Sequence, residues 1–138
     1  MAWLVYAFVS AGAAALTAIL TKRGVEDVPS SLATAVRTLV VVVAAWLVVF
    51  VTNDYRPLGS ISRRSLAFLL LSGIATAVSW LAYFRALQLG DASRVAPIDK
   101  LSLPLTIVLA ALWLGEPIGW RTAAGVTLMT LGALLTIL

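Results

Sequence analysis

The chain has 138 residues, of which 62% are hydrophobic and 12% charged, and its mean hydropathy is +1.03. So few polar residues cannot cover a globular surface in water, and the composition therefore indicates an integral membrane protein. The net charge of +4 does not indicate nucleic acid as a partner, because the Lys and Arg residues lie in short loops and near predicted helix ends.

The amino acids that are absent also exclude several kinds of site. The chain contains neither Cys nor His, which excludes disulfides, thiol chemistry and ordinary zinc sites. No nucleophile–base pair or metal-ligand set is visible in the sequence. We therefore expect no enzymatic activity, no metal and no cofactor.

Apolar segments follow one another along the chain, each long enough to cross a hydrocarbon core of about 30 Å. The five segments lie at approximately residues 2–21, 32–52, 66–89, 93–114 and 118–138. Gly24 can end the first helix, and Pro29-Ser30-Ser31 can cap the second. Pro117 suits the first turn of the fifth helix, and Glu116 suits the positive end of its dipole. The predicted fold is an all-α integral membrane protein with a single domain at residues 1–138.

The basic residues of the loops are nearly balanced between the two sides of the membrane. An odd number of spans places the termini on opposite sides, and Lys and Arg set the orientation. The N-terminal side has Arg56, Arg63, Arg64 and Arg121, and the other side has Lys22, Arg23 and Arg94. A ratio of four to three is typical of a chain that inserts both ways. If the three cations inside the spans are counted, the second side leads by six to four, which weakens that interpretation.

Charged side chains interrupt the apolar spans at Arg37, Arg85, Asp99 and Lys100. Charges in lipid are costly, so each is a candidate substrate-binding or coupling residue. In one interpretation Asp99 pairs with Arg37 or Arg85, and the other cations reach the headgroups. In another, a cation binds an anionic or zwitterionic substrate group, or Asp99 carries a coupling proton. A helix that starts at Pro97 would instead make Asp99 an ordinary first-turn acid.

Trp80 lies nine residues before the predicted end of the third helix, or about 13 Å inward. That depth is too great for an interfacial aromatic belt. Together with Ser79 and Tyr83, Trp80 is predicted to form a substrate-facing wall suited to amphipathic or cationic cargo.

Two further features concern the fourth and fifth helices. Pro104 removes a backbone hydrogen bond inside the fourth span, which makes it a hinge candidate, although membrane helices also tolerate proline without such a role. Gly125, Met129 and Gly132 lie along one stripe of the fifth helix. Small residues allow close approach of another helix, either from a second copy or from the same chain.

These motifs together resemble a known family. The run YFRALQLGDASRVAPIDKLSLPLTIVLAALWLGEPIGWRTAAGVTLMTLGALL resembles the C-terminal part of an EamA domain of the drug/metabolite transporter superfamily. The matching features are the aromatic-rich end of the third helix, an Ala-Leu-x-x-Gly turn, the fourth-helix prolines, Leu-Gly-Glu-Pro and a Gly-x6-Gly fifth helix. The segments LTAILTKRGV and ATAVRTLVVVVAAW are similar to the first half of the same domain, so the resemblance spans the chain.

The resemblance implies a secondary transporter of a small organic metabolite or drug-like molecule. Most family members carry two such domains related by inversion, so a single domain implies an antiparallel homodimer that works by alternating access, with the fifth helix at the contact. Its other partners would be the lipid bilayer of a bacterial or archaeal cytoplasmic membrane and a coupling proton or ion. The chain is more distantly similar to the four-helix small multidrug resistance proteins, but their first-helix acid is absent here. The alternative is a non-transporting membrane subunit that pairs with an oppositely oriented paralogue.

Overall fold

The computed structural model describes residues 2–138, with Pro57 and Leu58 described by their backbone only. Over these residues the regular secondary structure is entirely helical, which confirms the predicted all-α fold. The helices are α1 (Ala2–Gly24), α2 (Ser30–Thr52), α3 (Arg63–Leu89), α4 (Ala92–Asp99), α5 (Ser102–Leu109) and α6 (Trp120–Leu135). A 3-10 helix at Arg56–Ser60 lies between α2 and α3, and a π-helical turn at Ala110–Leu114 continues α5.

Four helical segments of the described chain are long and apolar enough to cross a membrane, namely α1, α2, α3 and the combined segment Ala92–Leu114. They coincide with the first four predicted spans. The fifth predicted span contains α6, whose 16 residues extend about 24 Å. The membrane-protein fold is therefore established, whereas the crossing by the last segment stays a prediction.

The helix ends follow local backbone chemistry. As predicted, α1 ends at Gly24, and α2 begins directly after Pro29. Asn53 ends α2 in the left-handed conformation, at φ 59°, which Asn tolerates better than most residues. The hydroxyl oxygen of Ser62 accepts a hydrogen bond from the backbone N–H of Ser65 at 3.0 Å and so caps the start of α3.

The expected placement of Pro117 in the first turn of a helix is wrong. Gly115 ends the π-helical turn at φ 70°, and the N–H of Glu116 donates to the carbonyl of Ala110 at 3.3 Å. This reversal leads into extended backbone at Gly119, so α6 begins at Trp120. Pro117 and Glu116 consequently belong to the link and not to the helix.

The fourth span is interrupted at Lys100 and Leu101. Pro104 has no N–H to donate to the Lys100 carbonyl four residues earlier. That carbonyl accepts a bond from the N–H of Leu103 at 3.0 Å instead, three residues on. The N–H groups of Lys100 and Leu101 likewise bond three residues back, to Pro97 and Ile98. The tighter bonding pattern separates α4 from α5.

Backbone contacts divide the chain into two compact units. The first unit contains residues 20–88, and its buried side chains lie at the C-terminal end of α1, the start of α2 and the end of α3. These buried residues are Thr21, Val25, Thr34, Phe84 and Leu87. Phe84 and Leu87 are 2% and 0% exposed, so they are the centre of this cluster.

The second unit contains residues 1–19 and 89–138. In it α6 contacts both α4 and α5. The least exposed positions along α6 are Val126, Thr130 and Ala133, which share one face at helical spacing. This face is the one that packs within the unit.

Most of the apolar surface of the spans is not covered by the chain itself. In the four candidate spans, at most 11% of the residues in the most apolar window are buried. An apolar surface of this extent requires lipid or another helix around it.

Candidate functional site

An arginine held against two aromatic rings is the main polar feature inside the spans of the first unit. The Cζ atom of Arg37, on α2, lies 4.2 Å from the ring centroid of Trp80 and 5.3 Å from that of Phe84, both on α3. These distances are within the range of cation–π attraction. Arg37 and Trp80 are half-buried, whereas Phe84 is buried. The structure thus brings together two of the residues that the sequence predicted separately.

Gln88 ties the link between α1 and α2 to the end of α3. Its Nε2 atom donates to the carbonyls of Val25 at 3.2 Å and Val28 at 3.1 Å. Its Oε1 atom accepts a bond from Nη1 of Arg85 at 2.7 Å. Gln88 therefore uses both its donors and its acceptor, and this holds the guanidinium of Arg85 near the link.

An open depression of about 580 Å³ lies beside this hydrogen-bonded group. Its walls are residues 26–31 of the α1–α2 link together with Arg85 and Gln88. The walls include two carboxylates, Glu26 and Asp27, and one guanidinium. Glu26 lies 3.8 Å from Arg23, an exposed pair that contributes little stability.

Asp99 and Lys100 form an ion pair in the second unit. The Nζ atom of Lys100 donates to Oδ2 of Asp99 at 3.2 Å, and the side chains are 53% and 36% exposed, respectively. The adjacent lysine is thus a partner of Asp99, and the pairing of Asp99 with Arg37 or Arg85 stays a prediction. The alternative that made Asp99 a first-turn acid is wrong, because α4 begins at Ala92 and Asp99 is its last residue. Negative charge at that end is disfavoured by the helix dipole, which the neighbouring ammonium offsets.

The other predicted site residues have different surroundings. Ser79 is exposed and Tyr83 half-buried on α3. Pro104 lies in α5, just after the interruption of the fourth span. Their functional roles stay predictions.

The predicted contact stripe of α6 faces open space within the chain. A Cβ atom added at Gly125 or Gly132 would meet no atom within 4 Å, and Met129 is 52% exposed. The stripe lies about 100° around the helix from the face that packs on α4 and α5. Within the second unit, the two glycine positions of the stripe are therefore not covered by a neighbouring helix, and the role of the stripe as a dimer contact stays a prediction.

The comparison with protein families covers the full length of the sequence. The profile of the EamA-like transporter family matches residues 1–138. The chain belongs to this family. Membership in a family of membrane transporters points to transport and not to catalysis as the activity of this EamA-like domain.

A relative of similar length is known from a Sinorhizobium species. It is described as an uncharacterized transporter in the cobO 3' region, and it is 45% identical over 133 residues. The matched region is 96% of this chain and 94% of the relative. No solved structure matches the chain.

Sequence reasoning missed two residues that hold the site of this EamA-like domain together. Gln88 is a neutral residue near a helix end, and its role depends on carbonyls that lie about 60 residues away. Phe84 belonged to an aromatic-rich segment, but nothing in the pattern distinguished its buried ring from exposed ones. The available signal was the Ala-Leu-x-x-Gly turn, which contains Gln88.

Proposed function

We propose that the protein is a secondary transporter of a small organic molecule and works by alternating access as an antiparallel homodimer in the cytoplasmic membrane of a bacterium or archaeon. The observation that carries this proposal is the match of one EamA-like domain to the whole chain. The relative supports it, since a protein of similar length that is 45% identical over 133 residues is described as an uncharacterized transporter. Transporters of this kind bind substrate between two repeats of opposite orientation.

Two copies supply both repeats only if they insert in opposite orientations. The near balance of basic residues between the loops favours this arrangement. The open stripe at Gly125, Met129 and Gly132 provides a face along which a second helix can approach closely. A proton or another ion is the candidate coupling species, with Asp99 as its candidate carrier.

The orientation is tested by single cysteines, because the chain has none of its own. Ser31 lies in the first turn of α2 and Ile61 in the link between α2 and α3, and both are exposed. Each is replaced by Cys, and intact cells are labelled with an impermeant thiol reagent. Partial labelling of both variants supports dual orientation, whereas labelling of only one would overturn the homodimer and favour an oppositely oriented paralogue. Val43→Cys, in the middle of α2, serves as the unlabelled control.

Transport itself is tested with purified protein in liposomes loaded with a bacterial small-molecule extract. Mass spectrometry identifies the compounds that leave these vesicles faster than they leave protein-free vesicles. We expect selective release of one chemical class. If no compound is released, the protein is not a transporter on its own, and the alternative of a non-transporting subunit is favoured.

A further inference from the structure

Arg37 differs in its surroundings from Lys22, Arg23 and Arg85, the paired cations near the α1–α2 link. Lys22 donates to the carbonyl of Leu87, Arg23 pairs with Glu26, and Arg85 donates to Gln88. Within residues 20–88, as far as the structure describes them, no oxygen accepts a hydrogen bond from Arg37. Its contacts there are the rings of Trp80 and Phe84.

This arrangement leaves the hydrogen-bonding capacity of the guanidinium available. A guanidinium has five N–H donors in its own plane. When it stacks on an aromatic ring, these N–H groups can still donate hydrogen bonds to oxygen atoms. Arg37 is seven residues after the start of α2, or about 10 Å along the helix. Charged groups at such positions in membrane proteins mark substrate pathways or find partners, because an unsatisfied charge in lipid is costly.

The geometry of a guanidinium matches one class of ligand in particular. Its paired donors bind a carboxylate or phosphate through two parallel hydrogen bonds. We infer that Arg37 binds the oxyanion of the transported molecule, with Trp80 and Phe84 as positioning residues that hold the guanidinium in place. The inference rests on the proposed transport function and assigns its substrate class as organic anions. It also replaces the cationic cargo expected from Trp80 alone, since Arg37 already occupies the face of that ring.

The test uses Trp80 as its own reporter. The other tryptophans, Trp3, Trp46, Trp113 and Trp120, are replaced by Phe. The protein is kept in dodecyl maltoside, which contains no phosphate, and is titrated with benzoate, with its neutral isostere benzamide and with benzylamine. We expect a saturable change of Trp80 emission with benzoate and binding weaker by about tenfold or more for the other two, because charge-assisted hydrogen bonds are lost.

Variants then locate the charge responsible. Arg37→Gln is expected to weaken benzoate binding by about tenfold to a hundredfold, and Arg37→Lys less, because it keeps the charge but loses the paired donors. Arg64→Gln is the matched control, since Arg64 also lies over a ring, that of Phe68 at 5.9 Å, but at the other end of α3. We expect its benzoate affinity to be unchanged.

Four outcomes would overturn the inference. Equal affinity of the Trp80 reporter protein for benzoate and benzamide would exclude recognition of the charge, whatever affinities the Arg37 variants show. Unchanged affinity in a folded Arg37→Gln variant would exclude Arg37. A response to added phosphatidylglycerol with none to benzoate would assign the site to a lipid headgroup. Release of neutral or cationic compounds from proteoliposomes, unaffected by Arg37→Gln, would also contradict the substrate class while leaving the transport function intact.

Discussion

A cation inside a membrane span can be stabilised without a carboxylate. Arg37 and Trp80 were each recognisable in the sequence, the first as a charge in apolar surroundings and the second as an aromatic ring too deep for the interface. Their contact was not predictable, because 43 positions separate them and no spacing rule relates residues on different helices. In one interpretation of the sequence Asp99 pairs with Arg37 or Arg85; the structure shows the ammonium of Lys100 beside that carboxylate.

The hydrogen bonds of Gln88 make a measurable contribution to stability. Replacement by Leu keeps the approximate volume but removes the donors to the carbonyls of Val25 and Val28. We expect a loss of about 1–2 kcal/mol in the free energy of unfolding, because partly buried carbonyls are left without a partner. Reversible unfolding of the detergent-solubilised protein in SDS measures it.

Thr76→Val is the control for this variant, since the Thr76 hydroxyl bonds only to Ser72 one turn earlier on an exposed face. Its effect should be much smaller. If Gln88→Leu and Thr76→Val destabilise equally, Gln88 does not hold the α1–α2 link.

At the level of elements, hydrophobic length was the reliable signal. The first four spans were predictable within a few residues because lipid requires continuous apolar helices. The position of the interruption, at Lys100 and Leu101, was not predicted. A proline in the sequence shows that one helical hydrogen bond is missing, but not how the neighbouring backbone groups rearrange. The start of α6 was misplaced for a similar reason, since the left-handed backbone of Gly115 redirects the chain before the helix begins.

Pro104→Ala tests whether this interruption serves transport. Alanine supplies an N–H at position 104 that can donate to the Lys100 carbonyl four residues earlier, where Leu103 now donates three residues back. One added helical bond should stabilise the protein by about 1 kcal/mol. We expect slower exchange of substrate between the two sides of the membrane with unchanged binding, because a continuous helix resists bending. Turnover in proteoliposomes and thermal unfolding in detergent are the measurements.

Pro117→Ala, in the link outside α6, is the matched proline control and should change neither quantity. A Pro104→Ala variant with normal turnover would show that the proline is merely tolerated.

The open stripe of α6 gives a prediction for assembly. Gly125→Leu and Gly132→Leu add side chains where the chain itself leaves space, so the single subunit should fold normally. Close approach of a second helix would be blocked, and the dimer fraction should fall. Chemical crosslinking and light scattering in detergent measure this fraction.

Gly73→Leu provides the comparison, because Gly73 on α3 is equally open but lies outside the stripe. Equal loss of dimer in all three variants would place the contact elsewhere.

For the whole molecule, the sequence predicted the class of protein and its family because composition and apolar length depend on the bilayer. Contacts between helices depend on which face of each helix packs. In a helix that is apolar all round, the sequence distinguishes the packed face only weakly from the face exposed to lipid. Thus the buried centre at Phe84 and Leu87 and the role of Gln88 required the structure.

Dual insertion predicts complementation between two inactive variants. Arg63→Gln with Arg64→Gln leaves two loop cations against three, and Arg23→Gln with Arg94→Gln leaves four against one. With Arg56→Gln added to the first pair, the loop cations are one against three, and the two variants should then fix opposite orientations. We expect little transport from either variant alone and recovered transport when both are expressed together.

In the oriented variants, Leu138→Cys also reports whether α6 crosses the membrane, since five spans place it on the side of Ser31. Full transport by one oriented variant alone would contradict the antiparallel dimer.

The buried cluster of residues 20–88 has a mechanical consequence. It fixes α2 near Thr34 and α3 near Phe84, whereas residues 63–79 of α3 are all exposed. From Thr34 to Thr52, α2 extends about 27 Å beyond its fixed point. It is therefore a lever arm, and a rotation of about 10° at the cluster displaces its far end by about 5 Å. A small rearrangement around Arg37, which lies close to the fixed point, would thus produce a larger displacement at the far end of α2.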